Sequence, residues 1–141
     1  MTVFLDTSVL IAAVRTVDER HMASFDLVKR CTPETAACAT HTMAEFYVGL
    51  TGMRPPNRFH PAQAIKLLDG IRGKFQCIEL TADEVVETAR EVAALGLLGG
   101  IIYDALLLKC ARKVNAERIY TWDVGNFQRV APDLAERIVT P

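Results

Sequence analysis

The sequence predicts an α/β domain built on a parallel sheet with helices on both faces. Two observations predict it. Short apolar runs alternate with longer helical segments along all 141 residues. Half of those residues are hydrophobic, enough for one continuous core, and neither a repeat nor a linker divides them, so residues 1–141 read as a single domain.

Residues 2–6 (TVFLD) form a buried strand that runs into a turn. Helices follow over 8–15 and 18–31, a second strand over 36–40 (AACAT), and a third helix over 42–52. The segment Met53–Pro61 carries two adjacent prolines and reads as a loop before a helix over 62–73. Residues 75–80 (FQCIEL) are the third strand. Thr81 and Glu84 then have the spacing of a capping box, which opens a helix that ends near Gly96. Gly99 and Gly100 precede an apolar helix over 101–114; the fourth strand is 117–122 (ERIYTW). A short helix over 126–131 and an edge strand over 137–140 complete a sheet of four to five strands. Ligands of such sheets gather beyond the carboxyl ends of the strands, so polar residues that close a strand are the first candidates for function.

Sixteen basic residues face 17 acidic ones, for a formal net charge of -1. Overall charge therefore cannot attract nucleic acid, and any such ligand needs a local basic patch or a metal ion. Cys31, Cys38, Cys77 and Cys110 form neither a CxxC pair nor a zinc spacing with histidine; they read as buried, reduced thiols of a cytoplasmic protein. The apolar start MTVFLDTSVLIAAV lacks a positive leader and is interrupted by Asp6, Thr7 and Ser8, which argues against a signal peptide. No uninterrupted apolar stretch is long enough for a membrane helix.

Four carboxylates stand out. Asp6 closes the first strand; alone it reads as a helix cap, but Thr7 and Ser8 can also cap, which frees it. Glu45, in HTMAEFYVGL, shares its helix face with Thr42, Gly49 and Gly52, a surface of small residues that a ligand can approach. Asp104, in GGIIYDALLLKCARK, falls on the stripe of Ile101, Leu107, Leu108 and Ala111 that should face the core, whereas Lys109 and Lys113 lie far round the helix. A buried carboxylate needs a proton, a partner or a cation, and the N-terminal turn of a helix favours its negative charge. Asp123 follows the fourth strand in YTWDVGNF, where alone it reads as a turn residue. Two acids at strand ends and two near helix starts meet at one edge of a parallel sheet. Acids that share a site need cations to offset their repulsion, and oxygen-only ligands select Mg²⁺ or Mn²⁺. His21, His41 and His60 read as surface or loop residues.

At these positions the sequence resembles the PIN-domain ribonucleases, in particular the VapC-type toxins of toxin–antitoxin pairs. The resemblance is carried by FLDTSVLIA, the Glu45 helix, GGIIYDALLLKCA, and IYTWDVGNF followed by Gln128 and Arg129. It implies a three-layer α/β/α fold and a Mg²⁺- or Mn²⁺-dependent endoribonuclease acting on structured RNA such as tRNA or rRNA. It also implies a homodimer, inhibited by an antitoxin whose C-terminal segment covers the acidic pocket. The motif places catalytic and metal-holding roles on Asp6, Glu45, Asp104 and Asp123. Some relatives carry Asn at the place of Asp123 and an acid at that of Asn126, so Asp123 takes the fourth position here, with Thr7, Thr121 and Asn126 in support.

Substrate must be gripped outside the acids. Arg54 and Arg58 lie in the loop MRPPNRFH beside Phe59, which is available for stacking, and Arg15 follows the first helix. Receiver-type and haloacid-dehalogenase-like phosphoryl transfer lack their partner residues: Asp6 has no acidic neighbour, and Ser8 stands where the second aspartate belongs. The rival from another class is a non-catalytic PIN-like scaffold that binds RNA or protein.

Overall fold

A computed structural model describes residues 2–141. Its five strands are β1 (Val3–Leu5), β2 (Ala36–Ala39), β3 (Gln76–Ile78), β4 (Arg118–Tyr120) and β5 (Ile138–Val139). They form one sheet in the order β3-β2-β1-β4-β5, and every neighbouring pair is parallel. β1 is central: Phe4 lies opposite Ala37 on one side and Ile119 on the other. The strands are shorter than their apolar runs, because the flanking residues leave the ladder to begin turns. The edge strand expected over 137–140 is present as β5.

Seven helices cover the sheet: α1 (Thr7–Val14), α2 (His21–Lys29), α3 (Thr40–Thr51), α4 (Pro61–Arg72), α5 (Ala82–Ala94), α6 (Ile101–Lys113) and α7 (Val124–Val130). Side chains alternate across a strand, and β1 divides the core accordingly. Phe4 packs with Leu107, Leu108, Ile119, Phe127 and Ile138 on the face covered by α6 and α7. Leu5 packs with Val9, Leu10, Phe46, Leu50 and Phe75 on the face covered by α1 to α4. Helices on both faces of one sheet make the three layers expected from the resemblance. All four residues of β2 (AACA) are buried, as a strand enclosed on both faces requires.

The expected capping box is in place: Glu84 N donates to Thr81 Oγ1 at 3.1 Å, and Thr81 N donates to Glu84 Oε1 at 3.0 Å. A second one starts α4, where His60 Nδ1 accepts from Ala62 N at 3.1 Å and Gln63 reaches back to His60 N. Gly96 and Gly99, both with positive φ, turn the chain between α5 and α6 and so set where Asp104 enters the sheet edge. Cys31, Cys38 and Cys110 are buried, Cys77 is partly so, and all four are free thiols. Burial pushes Cys31 and Cys110 up to about 11, which keeps these sulfurs protonated and unreactive. Among the described residues, no helix is long and apolar enough to cross a membrane.

Candidate active site

β1 ends at Leu5 and α1 begins at Thr7, so Asp6 occupies the joint at the carboxyl edge of the central strand. It stands in the N-cap position of α1 without capping it. Its Oδ2 instead accepts from Ser8 Oγ at 2.7 Å and from Thr121 Oγ1 at 2.8 Å. Thr7 and Ser8 do not cap either, contrary to the expectation that they relieve Asp6 of that task. Thr7 Oγ1 donates to Glu45 Oε1 at 3.3 Å, and Ser8 is consumed by Asp6. Both hydroxyls serve the acids.

Glu45 reaches this point because α3 starts immediately after β2 and leans on α1. Gly49 faces α1 at this contact, where a Cβ would oblige the end of the Ile11 side chain to shift. The small-residue face of α3 is therefore partly closed by α1, which draws Thr7 to the carboxylate. Asp104 sits in the first turn of α6 and is half-buried at the rim of its core stripe. Asp123 follows β4; it is exposed and accepts from Asn126 Nδ2 at 2.9 Å, while Arg129 Nη1 donates to Asn126 Oδ1 at 3.1 Å. Thr121 ties the two ends together: its Oγ1 bonds Asp6 and accepts from Asp123 N at 3.0 Å.

The electrostatics show how closely the four acids act on one another. Asp104 is pushed from 3.8 up to about 7, by burial first and then by the charges of Asp6, Asp123 and Glu45. Burial and the charge of Asp6 raise Glu45 as well. Burial raises Asp6 too, against the hydrogen bonds from Ser8 and Thr121. Every influence on Asp104 is upward, and none comes from a cationic side chain. Among the described residues no group of three acidic, histidine or cysteine side chains is placed to hold a metal ion. The site is an open patch of repelling oxygens, a donor set suited to a hard divalent cation.

A pH dependence follows. The folded state holds the Asp104 proton more tightly than the unfolded chain. That contribution is complete below about pH 4 and is lost as pH rises through about 7. In EDTA, the melting temperature of the protein is expected to fall between pH 5 and pH 7.5 relative to that of an Asp104→Asn variant. Parallel slopes for the two proteins would refute the assignment.

His41 was missed at the level of sequence. It lies on α3, not in a loop, and it is half-buried beside Glu45. Its Nε2 is 3.7 Å from Glu45 Oε1, too long for a hydrogen bond, and is hidden from solvent without a partner. Burial lowers its pKa, against the charge of Asp6. Its spacing four residues before Glu45 was the available signal. Of the other histidines, His60 is exposed and His21 Nδ1 lies 2.9 Å from Ala12 O. Trp122 was also missed: its backbone N donates to Ser8 Oγ at 3.1 Å and its Nε1 to Ser24 Oγ at 2.9 Å, which joins α2 to the site.

The candidate RNA-gripping residues lie farther out. Arg15 caps the end of α1 opposite Asp6, about 12 Å along the helix axis. Arg54 and Arg58 are exposed beyond the far end of α3, and Arg58 Nε donates to Met53 O at 2.8 Å. Phe59 is not free to stack, because it packs against the core that contains Leu50.

The sequence model of the PIN domain matches residues 3–132. The chain belongs to the PIN-domain family. No curated protein matches at the level of sequence. Solved structures superpose over nearly the whole chain. VapC20 of Mycobacterium tuberculosis, a toxin that cleaves the sarcin-ricin loop, aligns with a TM-score of 0.73 at 21% identity, covering 92% of this chain and 95% of that one. VapBC2 of Rickettsia felis, bound to a fragment of promoter DNA, aligns at 0.66 with 20% identity over 99% and 98%. VapBC-1 of nontypeable Haemophilus influenzae gives 0.65 and 20% identity over 99% and 98%. At these identities the likeness is one of fold, and this PIN domain shares the α/β/α architecture of VapC toxins.

Proposed function

We propose that this PIN domain is a metal-dependent endoribonuclease, the toxin of a VapBC-type pair, acting on structured RNA such as tRNA or rRNA. The observation that carries this reading is the gathering of four carboxylates from four separate segments: Asp104 is raised to about 7 by burial first and then by the charges of Asp6, Asp123 and Glu45. A protein that places acids in this way without a cation works against its own stability. Asp6, Glu45 and Asp104 would hold Mg²⁺ or Mn²⁺, with Asp123 contributing directly or through water. When bound, the cation supplies an activated water for attack on the phosphodiester and offsets charge on the leaving 3′ oxygen.

The chain's own residues do the rest. Thr121 and Ser8 hold the Asp6 carboxylate at a fixed angle, and Thr7 steadies Glu45. Asn126 orients Asp123. The proposal extends to a homodimer in the cytoplasm, held inactive by a cognate antitoxin over the acidic patch. VapBC complexes of the same fold support such a partner.

The test is incubation of the purified protein with tRNA and rRNA in Mn²⁺, with sequencing of the new 5′ ends. Discrete cuts that leave 5′-phosphate and 3′-hydroxyl are expected. No cleavage and no Mn²⁺ uptake at millimolar metal by calorimetry would favour the non-catalytic scaffold.

Arg15, Arg54 and Arg58 would hold phosphates away from the acids. Arg54→Ala with Arg58→Ala is expected to reduce the slope of log affinity against log salt by about one to two for single-stranded RNA, with Mn²⁺ affinity unchanged. An unaltered slope would remove both arginines from the interface.

A further inference from the structure

Next to the carboxylates lies a cleft that hydrolysis itself does not use. It is open, about 610 Å³ in volume, and its lining is mostly apolar. Ile78 and Leu80 form its floor side, Tyr103 and Leu106 of α6 one wall, and His41 and Glu45 of α3 the other. We propose that this cleft receives an unstacked nucleobase of the RNA strand whose phosphodiester lies over the carboxylates. The proposal rests on the ribonuclease reading and adds to it a site for the base.

Three observations support a base as the occupant. The cleft is continuous with the acidic site, because Glu45 belongs to both. A strand positioned for cleavage therefore passes its mouth. Glu45 and Glu79 are among its lining residues, and their charges repel phosphate and leave the neutral, flat part of a nucleotide as the portion that can enter. Finally, the cleft offers what a base uses. Tyr103, 58% exposed, presents an aromatic ring next in sequence to Asp104, and bases splayed from RNA stack on such rings. Tyr103 thus acquires a role as the stacking platform.

The test compares binding of oligoadenylate with binding of an abasic ribose-phosphate chain of the same length, by fluorescence anisotropy in EDTA at low ionic strength, so that cleavage does not intervene. The wild-type protein is expected to prefer oligoadenylate. Tyr103→Ala should weaken oligoadenylate binding about tenfold and leave the abasic chain within twofold; Tyr103→Phe should restore the preference. Tyr103 is exposed, so these variants are expected to fold, as circular dichroism can verify. Equal effects of Tyr103→Ala on both ligands, or none on either, would overturn the proposal. So would a shift of Tyr103→Ala toward monomer in sedimentation with the preference for bases intact, because a second copy of the chain would then occupy the cleft. Cleavage of tRNA and rRNA by the wild-type protein in Mn²⁺, measured separately, reports on the ribonuclease reading. Cleavage without the base preference sinks only the cleft, and base preference without cleavage sinks only the nuclease.

Discussion

Asp104→Asn is expected to lower Mn²⁺-dependent RNA cleavage roughly a thousandfold and, in the same molecule, to raise the melting temperature of the metal-free protein at pH 7.5. The two effects have one origin. Asp104 carries its charge in a half-buried position facing three other acids. Removing that charge relieves burial and repulsion together. Its partial exposure lets solvent screen the repulsion, so the gain is about 1 kcal/mol, or about 3 °C for a chain of this size. Asp6→Asn should lose activity to the same degree while keeping its fold, because an amide oxygen still accepts from Ser8 and Thr121. Thermal melts in EDTA and single-turnover cleavage in Mn²⁺ measure both properties. A variant that loses activity and stability together would indicate a structural role for the aspartate and would count against a metal site.

Thr121→Val should produce the opposite pattern, with both properties falling. Thr121 is fully buried. Its hydroxyl makes two hydrogen bonds, to the Asp6 carboxylate and from the Asp123 amide. Valine keeps the shape and removes both, leaving a buried carboxylate oxygen and a backbone N–H short of a partner. The expected cost is about 2–4 kcal/mol of stability. Cleavage should fall about 10- to 100-fold, the usual loss when a residue that orients a metal ligand is removed. Thr121→Ser, which restores the hydroxyl, should recover most of both. Wild-type cleavage by Thr121→Val would show that Asp6 needs no such support.

Much of the architecture was legible in the sequence, because it depends on local pattern. The apolar runs at 2–6, 36–40 and 75–80 became parallel strands, and Thr81 with Glu84 became a capping box. The acids were legible as a set through their motifs and their placement at strand ends and helix starts. Their fixtures were not. The Thr121–Asp6 bond joins residues 115 positions apart, and the Thr7–Glu45 bond residues 38 apart. Helical periodicity can assign a face to a side chain, but it cannot say which distant hydroxyl meets it. His41 escaped notice for the same reason, since the cover that hides its Nε2 comes from tertiary packing. Phe59 was misjudged because its neighbours in sequence are polar and prolyl, whereas its neighbours in space are core residues.

The central position of β1 bears on how this PIN domain is made. β1 must wait for β4, more than a hundred residues later in the chain, before its second edge is paired. Thr121 and Asp123 emerge after that. A nascent chain abandoned before this point holds Asp6 without its anchor and lacks the fourth acid. On the proposed nuclease reading, chains that stop before Thr121 should therefore be inactive.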